Sequence, residues 1–231
     1  MMRRPAGGRR RRWLWVSLSL VTALLLVGLP VADRVCAALA EQRIAERIAA
    51  RQHTLSGTPQ VTIGGFPFLL NAARGAFPTV EVQADATTEE GRSVRATVEL
   101  RDVAERDGGY EAASADAVFT APFDSLGEGL GPDATLSADG AGRLRVEAEI
   151  LGLPLTVVAE PRLTGRTISL VPVAASFAGR PVDPSGPRIS AAFADRKVEV
   201  PELPAGLTPT RVSVDDAGVT LHARGDDIRL T

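Results

Sequence analysis

Two stretches of this chain alternate apolar and polar residues so regularly that little choice of backbone remains. Val80, Val82, Ala84 and Ala86 interleave with Glu81, Gln83, Asp85 and Thr87, and Val94, Ala96, Val98 and Leu100 interleave with Arg95, Thr97, Glu99 and Arg101. A period of two puts the apolar side chains on one face of an extended strand and the polar ones on the other; wound as helix, the same residues would mix on every side. Thr88-Glu89-Glu90-Gly91 between the runs reads as a hairpin turn. The rhythm returns at 110–120, after Asp107-Gly108-Gly109. It returns again where Leu144, Val146, Ala148 and Ile150 alternate with Arg143, Arg145, Glu147 and Glu149, and at 153–160 and 166–173. Short strands at 211–214, 219–223 and 228–230 turn at Asp215-Asp216 and Gly225-Asp226. One-faced antiparallel strands need a cover. The available helices are one long segment near the N-terminus and two short ones, 122–130 and 187–196, so the expected class is α+β.

The N-terminal third reads differently. Residues 1–12 form a basic tail carrying Arg3, Arg4, Arg9, Arg10, Arg11 and Arg12, and residues 13–32 are uncharged. At ~1.5 Å per helical residue the uncharged stretch reaches about 30 Å, a bilayer's hydrocarbon thickness. It predicts one transmembrane anchor with a cytoplasmic N-terminus and the remaining domain periplasmic or extracytoplasmic. A cleaved signal peptide is the alternative, with the same compartment. Residues 33–57 predict a membrane-proximal helix with Ala37, Ala40, Ile44, Ile48 and Leu55 on one side, and 58–231 a β-rich domain. Removing the six arginines from the net charge of -2 leaves -8 for residues 33–231, a poor surface for nucleic acid. The single cysteine, Cys36, rules out an intrachain disulfide and a cysteine metal cluster.

Between helix and sheet lies an unusually greasy turn, Gly64-Gly65-Phe66-Pro67-Phe68-Leu69-Leu70. Inward strand residues are mostly Val, Ala, Leu and Ile, and side chains that small, on a long curved sheet with few helices, can leave an apolar groove unfilled; the alternative is that sheet and helix close on each other. Such a groove favours an acyl chain, at about 0.8 kcal/mol per buried CH₂. The expected lipid contacts are Phe66, Pro67, Phe68, Leu69 and Leu70, with Phe77 beyond them and Ile44 and Ile48 on the helix. Phe68→Asp is expected to weaken lipid binding and leave the domain folded.

The Gly65-Phe66-Pro67-Phe68-Leu69 block, with Gly75 and the Val80-Glu81-Val82 strand after it, resembles the opening of the actinobacterial LmeA-like phospholipid-binding family. Leu203-Pro204 leading into Arg211-Val212-Ser213-Val214 and Gly218-Val219-Thr220-Leu221 extends the resemblance to the far end. It implies a cell-envelope protein that binds phospholipids, phosphatidylinositol types among them, and supports lipoglycan assembly. It also implies a long curved antiparallel sheet packed around the N-terminal helix, comparable with tubular lipid-binding domains.

Catalytic readings find little purchase. His53 and His222 are the two histidines, and a serine triad using His222 with Asp226 or Asp227 lacks a Gly-x-Ser-x-Gly elbow. Asp215-Asp216 and Asp226-Asp227 lack the alternating spacing of a calcium loop, and Gly127 to Gly131 ends a helix where a phosphate-cradling loop would open one. No enzyme activity, cofactor or metal is expected. The competing reading is an envelope scaffold that offers a protein partner, of no class the sequence identifies, a sheet edge or the Phe66–Leu70 loop.

Overall fold

The computed structural model describes residues 8–51, 55–88, 91–106, 108–127, 134–194 and 197–230, with side chains from residue 28 onward apart from 188, 190, 192, 194 and 230. In chain order the elements are α1 (Gly8–Arg51), β1 (Gln60–Ile63), α2 (Phe68–Arg74), β2 (Ala76–Thr87), β3 (Ser93–Arg106), β4 (Gly109–Ala121) and α3 (Phe123–Gly127). Then follow β5 (Thr135–Ala138), β6 (Leu144–Ile150), β7 (Leu153–Thr164), β8 (Thr167–Phe177), β9 (Arg180–Val182), α4 (Pro187–Ala194), β10 (Val198–Glu199), β11 (Thr208–Asp215) and β12 (Gly218–Leu230). The alternating runs are strands, as expected, and pair antiparallel in register, Val82 opposite Val98 and Ala96 opposite Phe119.

The expected single curved sheet wrapped around the N-terminal helix is not what forms. The strands divide into two six-stranded antiparallel sheets, one ordered β1-β2-β3-β4-β12-β11 and the other β10-β8-β7-β6-β5 with β9 on β8. The reason lies at Pro122 and α3, where the chain leaves β4. Strands β5 to β10 then pair among themselves, and β11 and β12 return to close the first sheet. Helix α1 packs at one corner of that sheet, on β1 and α2. Its buried contacts are small, Ala37 and Ala45 with Cys36, Ala40 and Ile48 at their margins, too narrow a stripe for a sheet to wrap.

The transmembrane expectation is also corrected. The anchor and the membrane-proximal helix are one unbroken 44-residue helix with Pro30 inside it. Among the described residues no helix is long and apolar enough to cross a membrane. Along the part of α1 whose side chains are described, Asp33, Arg34, Glu41, Arg43, Glu46, Arg47 and Arg51 recur every few residues. Residues 1–7 of the basic tail, His53, and the Glu89-Glu90 turn lie outside the described residues.

A transverse crease crosses the first sheet. Pro78, Asp102, Ala113 and Asp227 fall on one row of β2, β3, β4 and β12, where the paired residues skip in every ladder. All four are exposed, and Asp102 and Asp227 have φ of 50° and 51°. Inward parity shifts by one across the row: Leu100 gives way to Val103, Ala115 to Ala112, Ala223 to Ile228 and Val80 to Phe77. A residue taken out of alternation bends its strand, and four in line bend the sheet. In place of the Gly225-Asp226 turn expected from sequence stands this crease, at Asp227, and β12 continues through it to Leu230. Among the described residues twenty apolar side chains are buried, eight of them alanine, and no large one is completely enclosed. Alanine facing alanine brings backbones close without filling much volume.

Candidate functional site

The Gly64–Leu70 segment is half turn and half helix. Gly64 N–H donates to the Thr79 carbonyl at 2.8 Å, continuing the β1–β2 ladder. Gly65 has φ of 95°, and a Cβ there would lie 2.7 Å from Asn71 Nδ2 and 2.9 Å from Pro78 Cδ, so only glycine fits. The Phe66-Pro67 peptide is cis. Phe68 then opens α2, which Gly75 closes in the left-handed conformation with its N–H on the Ala72 carbonyl.

The start of α2 has a capping problem, because Pro67 at the N-cap carries no side-chain acceptor. The solution comes from 35 residues away. Asp33 on α1 is 3% exposed, and its two carboxylate oxygens accept the Phe68 and Leu69 N–H groups at 2.9 and 2.8 Å. Hydrogen bonds to a charged acceptor contribute roughly 1.5–3 kcal/mol each, and the helix N-terminus favours an anion. Eight residues on, Glu41 Oε1 accepts the Ile63 N–H at 2.8 Å. Two carboxylates on one helix thus fix both α2 and β1. Sequence reasoning missed both. The signal was a proline-headed helix without a cap, beside an apolar stretch whose first acid is Asp33.

Phe68 is 7% exposed and packs with Val61, Ile63, Ala37 and Ala45. Its ring stacks on half-buried Phe77, centroids 6.0 Å apart. Ile48 is half-buried at the edge of this cluster, and Ile44 sits outside it. Phe66, two residues before Phe68, is instead 60% exposed, with the Arg34 guanidinium 5.8 Å from its ring centre. Pro67 is exposed, as are Leu69 and Leu70, and Leu29 projects one turn before Asp33 on the same side of α1. The eight residues singled out from sequence therefore split. Phe68, Phe77 and Ile48 build the corner, while Phe66, Pro67, Leu69, Leu70 and Ile44 stand on its surface.

A surface cavity of about 370 Å³ lies elsewhere, across β4, β12 and β11, lined by Asp116, Thr210, Arg211, His222 and Arg224 among others. Its walls are charged and unsuited to an acyl chain. His222 Nε2 lies 3.2 Å from Arg211 Nη2 and 3.4 Å from Ser213 Oγ. Partial burial, and then the Arg211 charge, hold the imidazole below its usual pKa. With the guanidinium directed at the same nitrogen, that nitrogen's lone pair is occupied, a poor arrangement for drawing a proton from Ser213. Among the described residues no group of three or more His, Cys, Asp and Glu is gathered to hold a metal.

The chain that builds this apolar corner, pinned by the buried Asp33 and the half-buried Glu41, matches a family model described as LmeA-like phospholipid-binding over residues 31–224. The chain belongs to the LmeA-like phospholipid-binding family. No curated protein and no solved structure matches it. The matched span begins just before Asp33 and ends within β12, so it takes in the segment from Asp33 through α2 and both sheets as far as Arg224, and Asp227, the crease position on β12, lies just past it.

Proposed function

We propose that this protein binds phospholipid at the α1–α2 corner, with Phe66, Leu69, Leu70 and Leu29 meeting acyl chains, and that it does so without catalysis. The observation that carries the reading is the exposure of Phe66, Leu69 and Leu70 on a segment anchored by Asp33, within a phospholipid-binding family. Monomeric proteins rarely hold so many large apolar side chains together in water without a partner for them. Arg34 beside Phe66 supplies a cation at the rim, suited to a lipid phosphate. The small inward residues of both sheets give acyl chains room beyond the corner. The domain works outside the cytoplasm, at the surface of the envelope membrane, and serves envelope lipid assembly; the arginine-flanked apolar stretch ahead of residue 33 supports export.

Solvent extraction of the purified protein followed by mass spectrometry tests this. Stoichiometric phospholipid is expected, with phosphatidylinositol species scored against the other headgroup classes. Phe66→Asp is expected to lower lipid affinity by about tenfold while stability stays within about 0.5 kcal/mol, since the ring is exposed. Lipid-free protein whose melting temperature ignores added phospholipid would overturn the reading.

A further inference from the structure

The β6–β7 hairpin closes with Ile150 opposite Leu153 around a two-residue loop, Leu151-Gly152. Both loop residues have positive φ, 54° and 75°. Such a type I′ loop takes Asn, Asp or Gly at its first position, because the left-handed conformation strains a branched side chain. Here the position holds a leucine that is 97% exposed, between Ile150 at 45% and Leu153 at 44%. Neither the turn nor the core benefits from that side chain. The adjacent Ala178-Gly179 loop has the same pair of positive φ values, 48° and 76°, and uses the small alanine. Ala178 N–H donates to the Pro154 carbonyl at 2.9 Å, so the two loops stand side by side at one end of the second sheet.

We propose that this end is a bilayer-contact tip, with Leu151, Ile150 and Leu153 entering the interfacial layer of a phospholipid membrane. The apolar side chains stand on a projecting apex, a shape that suits a deformable apolar phase better than a rigid groove. At ~3.4 Å per residue the backbone of Glu149 lies about 7 Å behind Leu151, within the roughly 5–10 Å to which interfacial segments sink, and its carboxylate flanks the loop, Oε1 standing 3.8 Å from where a Gly152 Cβ would be. The first charges behind it are of opposite sign, Glu149 on β6 and Arg180 on β9, both exposed. That collar complements the paired phosphate and ammonium of a zwitterionic headgroup and gives no net pull toward anionic lipid. The class of partner rests on the phospholipid reading above; the tip itself shares no residue with the corner.

The test is co-sedimentation of the full chain with phosphatidylcholine vesicles, at low and high salt, beside Leu151→Asn and Phe66→Asp. Asparagine suits the turn better than leucine, so Leu151→Asn is expected to keep or raise the melting temperature. Its vesicle partitioning is expected to fall about tenfold, with little dependence on salt. Vesicle binding of Leu151→Asn equal to wild type, with Phe66→Asp impaired, overturns the tip alone; binding unchanged in both, or absent from wild type, overturns tip and corner together. A lowered melting temperature, or loss by Leu151→Asn of a dimer that wild type forms, assigns the leucine to internal packing or to a second copy and overturns the proposal.

Discussion

The α1–α2 corner and the β6–β7 tip both turn leucines toward water, yet they are held in opposite ways. At the corner, exposed Phe66, Leu69 and Leu70 ride on a segment whose alternate contacts are core: Phe68 is buried, and the first N–H groups of α2 end on Asp33. At the tip, Ile150, Leu151 and Leu153 cap a two-stranded ladder, and Leu151 sits in a strained conformation. Apolar exposure at the corner is thus coupled to folding, and at the tip it is set against folding. The same kind of side chain therefore reports on different things in the two places.

Replacing Phe68 should separate the regions most sharply. Phe68→Ala removes a buried ring stacked on Phe77 and is expected to cost about 3–5 kcal/mol in chemical denaturation, which no substitution at the tip should approach. This burial changes what Phe68→Asp reports: a charge there is expected to unfold the corner before it says anything about lipid. A cost for Phe68→Ala below about 1 kcal/mol would mean the corner is no better anchored than the tip. Asp33 is the next lever. Asp33→Ala leaves the α2 N–H groups without their acceptor and is expected to destabilise by about 2–3 kcal/mol, with Asp33→Asn intermediate because one acceptor oxygen remains. Hydrogen exchange at Leu69 should accelerate in Asp33→Ala while exchange in β6 and β7 stays unchanged.

The smallest effect belongs to neither region. His222 has its pKa depressed below the usual 6.5 by burial and by Arg211. The unfolded chain therefore binds this proton first as pH falls, so the contribution is fully present above about 6.5 and is lost as pH drops through the lower folded value. His222→Gln should flatten the melting temperature slightly across that window, and a steeper slope in the variant would reverse the assignment.

How much was legible in the sequence follows from the range of each interaction. Strands β2, β3, β6 and β7 were readable from alternation, because which face a residue takes is a local property. Their division into two sheets was not, since pairing partners are chosen at a distance and the Val146 face looks no different from the Val98 face. The greasy segment stood out, but α2 was hidden across its end: of the seven residues between Pro67 and Gly75, Phe68, Leu69 and Leu70 read as part of the turn and Asn71 to Arg74 as a short polar and small stretch after it. Phe66 and Phe68 looked equivalent until the Asp33 cap, 35 residues upstream, set the helix phase that buries one and exposes the other. The long apolar stretch reads as a membrane anchor with the helix continuing beyond it; the continuity is there in α1, but among the described residues no helix is long and apolar enough to cross a membrane.

Pro78, Asp102, Ala113 and Asp227 carry a consequence for how such a chain can change. Each restores the inward phase of its strand beyond the crease, so deleting any one alone would turn Phe77, Val103, Ala112 or Ile228 out to solvent and bring a polar neighbour in. The four strands are therefore bound to one shared length rule. A residue gained or lost on one side of the row is tolerated only if its three neighbours follow, which makes the crease the least editable line in a sheet whose hairpin ends remain free to vary.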